Sequence, residues 1–446
     1  MKITNIKGRE VFDSRGNPTV EAEVTLDDSV TATAIAPSGA SKGKKEALEL
    51  RDNDPKRFNG LGVRNAVNKI NSVIAQYFKG KYFNVQEHFD RALIELDGTI
   101  NKSLLGGNTV LAVSTAFAKA SAEQKKIPLF KYLHRSSIYQ MPVPCMNVIN
   151  GGTHAENNLD FEEFMIAPHN AQSFREAIRM GIETFHALKS LLKERGYSIN
   201  VGDEGGFAPK LKSNEEALEF IMRAIQIAGF QPGHDISICI DAAASHMKKG
   251  DYYVFEKSTK NKLSSDQMVN MWERWVKDYP IVSIEDALGE NDWTGWKNLT
   301  KRLGYKIELV GDDIFCTNKK ILMEGIHSGI ANSILIKPNQ IGTITETLEA
   351  IGLAYTNSYN CFISQRSGET EDTFIADLAV SVNAGHLKTG SGCRGERTAK
   401  FNRLLRIEEM LGSAARFPGI KAFKSSIKKE APLKAHFDAP VYDDNS

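Results

Sequence analysis

No stretch of this 446-residue sequence is apolar for the length of a membrane span, and its start, MKITNIKGREVFDSRGNP, lacks the apolar segment of a secretion signal. These absences predict a cytoplasmic protein without a membrane partner. Charge of neither sign is in excess. With 56 Lys and Arg against 55 Asp and Glu, no global field draws the chain to nucleic acid. Cysteine is scarce and scattered: Cys145, Cys239, Cys316, Cys361 and Cys393 form no CxxC or CxxH pair, which argues against a zinc site. Four of the five sit in or beside apolar runs and read as buried thiols. What is present, 41% apolar and 25% charged residues, is an ordinary globular composition. The length exceeds one ordinary core and predicts two domains.

Residues 1–138 read as strands followed by helices. VTLDDSVTATAIAP alternates with the strand period, while AVNKINSVIAQYF and TVLAVSTAFAKASAEQKK repeat apolar residues as amphipathic helices do. Between them APSGASKGKKEA, rich in Gly and Ser, predicts a mobile loop over 36–46. Pro142 and Pro144 mark a boundary, and residues 139–446 follow another pattern. Short apolar strands recur there with polar ends: MNVINGG, EEFMIAP, INVGDEGG, SICIDAA, IVSIED, IELVGDD, SILIKPN, CFISQRSG and HLKTGSG. From Asp241 through Glu285, Asp312, Lys337 and Gln365 to Lys388 the spacings are 44, 27, 25, 28 and 23 residues. A strand-plus-helix period in the mid-twenties predicts an α/β fold, a (β/α)8-type barrel behind an N-terminal α+β domain. An open doubly wound sheet explains the pattern less well, because its ligand gathers at one switch point.

Asp241, Glu285 and Asp312 close successive strands. Carboxylates converging on one rim repel unless a cation joins them, and an all-oxygen set suits Mg²⁺ before Ca²⁺ or Mn²⁺. The plainer reading has each acid capping a helix or pairing with a lysine. Lys337 and Lys388 end two further strands. Beside a divalent cation and a second ammonium, a lysine can fall into the range of a working base. Metal plus lysine suggests proton abstraction next to a carboxylate, a pairing that general enzymology already describes. Opposite them, Glu204 in VGDEGGF is the candidate proton donor, with Glu163, read as ending EEFM, arranging it. Arg366 and Ser367 read as an anion clamp.

The motifs SRGNPTVE, APSGASKG, VGDEGGFAP, SIED, VGDD, IKPNQIGT, RSGETEDTFIADL and AKFNRLLRIEE, in this order over essentially the whole chain, resemble enolase, phosphopyruvate hydratase. The resemblance implies an N-terminal α+β domain packed on an α/β barrel, a homodimer or higher homo-oligomer, and two Mg²⁺ ions. It also implies a small phosphorylated three-carbon acid as substrate, 2-phosphoglycerate interconverting with phosphoenolpyruvate in glycolysis. Asp241, Glu285 and Asp312 match the metal ligands, and Ser38 the lid serine that reaches the second metal. Lys337 matches the base that takes the C2 proton, and Lys388 the lysine on the substrate carboxylate. Glu163 and Glu204 match the glutamates of the leaving-group side, Arg366 and Ser367 the phosphate contacts. His154, in GGTHAENN, matches the active-site loop histidine, which would otherwise read as a surface residue.

The departures cluster. Where the family has HRSGETED, this chain has Gln365; where it has QEFM, Glu162 precedes Glu163; where it has SGASTG, Lys42 enters the lid. Glutamine holds a ligand but does not serve as a proton donor. Two enzyme readings follow: a working enolase without that imidazole, or a paralogue resembling carboxyphosphonoenolpyruvate synthase of phosphonate biosynthesis, with Lys42 meeting an extra anion. Lys42-Gly43-Lys44-Lys45 is also read simply as a solvated charge run. A non-catalytic scaffold is a third class. It conflicts with keeping a costly cluster of like charges.

Overall fold

The computed structural model describes residues 1–40, 43–134, 136 and 138–424. It opens with an antiparallel meander of β1 (Ile3–Phe12), β2 (Pro18–Leu26) and β3 (Val30–Ile35). In β2, Val20, Ala22, Val24 and Leu26 are buried while Glu21, Glu23 and Thr25 are half-buried, the period-two pattern of a sheet with one face covered. Gly107–Gln124 lies against it as α2, and α1 (Gln86–Asp97) packs on α2. The amphipathic pattern expected for α2 is not what forms, since 15 of its 18 residues are buried. Val110 to Ala120 join the N-terminal core, and Ala118 and Ala122 join the larger core that runs on to Leu411. Its small side chains let one helix pack on both bodies.

The barrel is built from β4 (Val143–Asn150), β5 (Glu163–Pro168), α3 (Phe174–Glu194), α4 (Asn214–Ile227), β6 (Ile236–Asp241), α5 (Ser265–Asp278), β7 (Ile281–Glu285) and α6 (Trp293–Leu303). It continues with β8 (Glu308–Gly311), α7 (Lys319–Ser328), β9 (Ser333–Ile336), α8 (Ile344–Thr356), β10 (Asn360–Ser364), α9 (Phe374–Ser381), β11 (His386–Lys388) and α10 (Gly395–Leu411). The eight strands close in chain order, β11 pairing back onto β4. Polar caps start the outer helices: Ser173, Ser213, Ser264 and Thr343 each accept from a backbone amide of the first turn.

Two expectations are corrected. The barrel is not a pure βα repeat, because β5 runs antiparallel to both neighbours. The connection from β4 to β5 contains no crossover helix, so the second strand returns beside the first. Glu163 therefore begins its strand rather than ending one, and the reversal still brings it to the same rim. INVGDEGG is not a strand either; only Val201 makes an isolated bridge there, to Phe207.

The period of the strand sets the rim. Met165, Cys239, Val310, Leu335 and Phe362 pack inside the barrel. Two residues toward the rim from the first four stand Glu163, Asp241, Asp312 and Lys337. Glu285 joins them through a register shift between Ile281 and Ser283 that leaves it opposite Asp241.

Candidate active site

A small cavity of about 20 Å³ opens at this rim, bordered by His154, Glu163, Glu204, Asp241, Asp312, Lys337, Gln365, Arg366, Ser367 and Lys388. The structure thus brings together most of the side chains picked from sequence. Lys388 is central. Its Nζ lies 2.7 Å from Glu285 Oε2, 3.1 Å from Asp241 Oδ2 and 3.3 Å from Glu163 Oε1. Burial alone would lower this lysine, but Glu163, Glu285 and Asp241 raise it well above its ordinary value.

Lys337 pairs with Asp312, and Asp312 also accepts from Gln340 Nε2 at 2.8 Å. Against burial, the Asp312 carboxylate raises Lys337 above its ordinary value. The partner explains the sign: any cation that takes up the Asp312 carboxylate removes the stabilisation of the ammonium.

The residues fit a divalent cation. Asp241, Glu285, Asp286, Asp312 and Asp313 are five buried carboxylates on one rim. Burial and neighbouring anions raise Glu285 and Asp286 well above the carboxylate range and push Asp313 up to about 7. That is a surplus of negative charge for which Lys337 and Lys388 do not fully compensate. All the donors are hard oxygens. Oxygens of Asp286, Asp312 and Asp313 come within 4.8 Å of one another. Asp286 is partly committed, because it accepts the backbone amides of Asp312 and Asp313, both at 3.0 Å. Ser38 is not brought to the carboxylates. Its hydroxyl donates to Glu49 at 3.1 Å and accepts from Arg51 at 3.1 Å.

Across the cavity, Gln365 Nε2 donates to Glu204 Oε2 at 2.7 Å, and Asn147 Nδ2 donates to the same oxygen at 3.3 Å. Burial works against ionisation, yet His154, Arg397 and Lys388 hold Glu204 down to about 2. Burial and the Glu204 charge push Glu163 well up. Between these neighbouring carboxyls, Glu204 is thus held toward the anion and Glu163 toward the acid. The two hydrogen bonds donated by Gln365 and Asn147 also suit an anion at Glu204.

Arg366 is buried and forks onto Glu46, NH1 at 2.9 Å from Oε2 and NH2 at 3.2 Å from Oε1. A lid carboxylate thus stands where the clamp was expected to meet phosphate. Ser367 Oγ accepts from the Ala40 amide at 2.7 Å. Ser38 and Gly368 form a bridge that docks this part of the loop on the barrel. Lys42 lies outside the described residues.

Several participants escaped the sequence reading. Arg397 is fully buried and donates to Gln365 Oε1, to the Arg366 carbonyl at 2.7 Å and to the Ser367 carbonyl at 2.6 Å. Gln340 and Asn147 were missed as well. None follows a strand-end pattern, so only their place in space reveals them.

Comparison with known proteins agrees with this geometry. Residues 3–133 match the model of the enolase N-terminal domain, and residues 138–426 that of the enolase C-terminal TIM barrel domain. The chain is 61% identical over 426 residues to Enolase 1 of Chlorobaculum tepidum, a match covering 96% of this chain and 100% of that protein. With a barrel rim that sets a lysine and buried acids against a paired-glutamate face, and with both domain models matched, the chain belongs to the enolase family of lyases.

Proposed function

We propose that the protein dehydrates 2-phosphoglycerate to phosphoenolpyruvate, with Mg²⁺ as its metal. One observation carries this reading: Lys337 and the Glu163–Glu204 pair line one cavity, with a carboxylate-rich floor between. Such a cavity offers a base for a C–H proton and an acid for a departing hydroxyl. Asp241, Glu285 and Asp312 would hold Mg²⁺, which when bound neutralises the charge that builds on the substrate carboxylate.

The chain's own groups do the rest. Lys337, released from Asp312, takes the proton from C2. Lys388 holds the substrate carboxylate by charge. A proton from the Glu163–Glu204 pair goes to the C3 hydroxyl as it leaves. Arg366 and Ser367 hold the phosphate, Arg366 exchanging Glu46 for it, which couples substrate entry to movement of the lid over 36–46. Residues 1–138 serve as the lid-bearing domain, and 139–446 as the catalytic one. The same reading makes the protein a cytoplasmic homodimer of glycolysis, which cell fractionation and light scattering check. No described residue favours the phosphonate reading, whose carrier was Lys42.

The decisive measurement uses protein, Mg²⁺ and 2-phosphoglycerate in D₂O, following C2 deuteration and phosphoenolpyruvate together. Dehydration requires both. Deuteration without phosphoenolpyruvate would sink the reading and leave only the Lys337 half intact.

A further inference from the structure

Away from the rim, α5 borders a second cavity. Gln267, Asn270, Met271, Arg274 and Trp275 recur at three- and four-residue intervals and so share one face of the helix. All of them line a space of about 360 Å³ between α5, the start of α4 and residues 255–263. It has no bordering residue in common with the active-site cavity. Phe255, Leu263, Met271 and Trp275 make one side apolar. Asp160 braces two other bordering residues: its amide donates to Asn214 Oδ1 at 2.9 Å, and its carboxylate accepts from the Ser258 hydroxyl.

One buried donor there has no acceptor. Trp275 is 3% exposed, and its indole Nε1 bonds no described residue. The neighbouring buried indoles are satisfied, Trp272 donating to the Ala287 carbonyl at 3.0 Å and Trp296 to the Leu288 carbonyl at 3.2 Å. Trp272 and Phe161 stand edge-on to the Trp275 ring, with centroids 5.5 and 5.8 Å away, and hold it in place. A buried N–H without an acceptor is costly, and the cavity is where an acceptor can enter. Other donors there are also unspent. Gln267 Oε1 accepts from the Ser264 amide and Asn270 Oδ1 from Arg302, both at 2.8 Å, while neither NH₂ group bonds a described residue. Glu215 and Arg274, the charged residues among those described at the border, pair with each other at 3.5 Å.

We propose that this cavity binds a small uncharged ring compound bearing a carbonyl group, whose oxygen takes the Trp275 N–H while the ring lies against Phe255, Leu263 and Met271. The apolar side suits a hydrocarbon ring, and the few polar groups fix its orientation. The unspent donors call for an acceptor. The balanced charges disfavour a carboxylate, which would meet Glu215 where Arg274 is already paired. The site is independent of the dehydration reading.

The test follows the 4 tryptophan indole N–H groups by ¹H–¹⁵N NMR, Trp275 being identified by its loss in Trp275→Phe. The probes are benzamide, benzoate and toluene: one ring with a neutral carbonyl, with a carboxylate and with no acceptor. Benzamide is expected to move the Trp275 resonance downfield with a Kd of about 1 mM or tighter, and to leave Trp296 in place. Benzoate and toluene are each expected to bind at least about tenfold more weakly. Trp275→Phe keeps the ring packing and removes the donor, and calorimetry is expected to show at least about a tenfold loss of benzamide affinity. A Trp275 resonance that benzamide leaves unmoved shows that the cavity takes up water alone, and overturns the proposal. Toluene or benzoate binding as tightly as benzamide overturns the ligand class. Benzamide binding equally to Trp275→Phe removes the indole from the site, and the proposal falls with it.

Discussion

Gln365 shows how far a single amide is fixed by its neighbours. Its NH₂ faces the Glu204 carboxylate and its carbonyl faces the Arg397 guanidinium, so flipping the amide would set like against like at both ends. Truncation would take one hydrogen bond from each partner in a buried place. Gln365→Leu is expected to lose about 2 kcal/mol, most of it the cost of leaving Arg397 and Glu204 one hydrogen bond short there. Gln365→His is expected to stay within about 1 kcal/mol of the parent, because a neutral imidazole donates from one nitrogen and accepts at the other. Urea unfolding of the two variants decides the matter. A Gln365→Leu protein as stable as its parent would mean that the amide does not anchor Arg397. The sequence marked Gln365 as the departure, but it could not show this opposing pair of contacts. Arg397 lies 32 residues away on α10, in no motif that the strand-end logic follows.

At the scale of elements, the barrel was legible because each βα unit repeats the same demand: an apolar strand, a polar end, then a capped helix. β5 broke that rule, since EEFMIAP carries no mark of strand direction. An antiparallel neighbour and a parallel one ask for the same buried side chains. The contact between the two bodies was also invisible. Asp90 of α1 accepts from Gln86 at 3.0 Å and from Ser114 of α2 at 2.7 Å, and its other oxygen accepts the backbone amide of Thr345 in α8 at 2.9 Å. A side chain of the N-terminal body thus caps a helix of the barrel. Burial, opposed by these donors, pushes Asp90 up to about 6, from an ordinary 3.8. A folded-state value above the unfolded one means that Asp90 contributes fully below pH about 4, and that this contribution is lost as pH rises through about 6. The stability of the parent minus that of Asp90→Asn should therefore fall by roughly 3 kcal/mol between those limits. Urea unfolding at several pH values measures the difference. A flat difference would show that Asp90 does not change its protonation on folding.

For the whole molecule, the rim sets its free energy against its function. The buried carboxylates repel one another, and in the state described Lys388 draws Glu163, Asp241 and Glu285 together as a cation would. The sequence announced these groups, because strand ends spaced in the mid-twenties must meet on a barrel. It did not announce that a lysine would take the centre of the acids, since that depends on side-chain reach rather than on register. Removing the ammonium without changing the fold separates its structural work from its contact with substrate. Lys388→Met is expected to be destabilised by about 3–5 kcal/mol in the presence of a chelator, as expected when one partner of a buried ion cluster is lost. Mg²⁺ at about a hundred times its dissociation constant should return about 2.7 kcal/mol, by binding the folded state alone. The parent should gain from Mg²⁺ too. The Lys388→Met protein should gain more, because its carboxylates have no ammonium to displace, so its dissociation constant is lower and a given Mg²⁺ concentration acts further above it. Urea unfolding of both proteins across a Mg²⁺ titration reads this out without any substrate. Equal gains at every concentration would show that Lys388 and the metal do not compete for the same charge, and the assignment of Asp241 and Glu285 as metal ligands would then have to be given up.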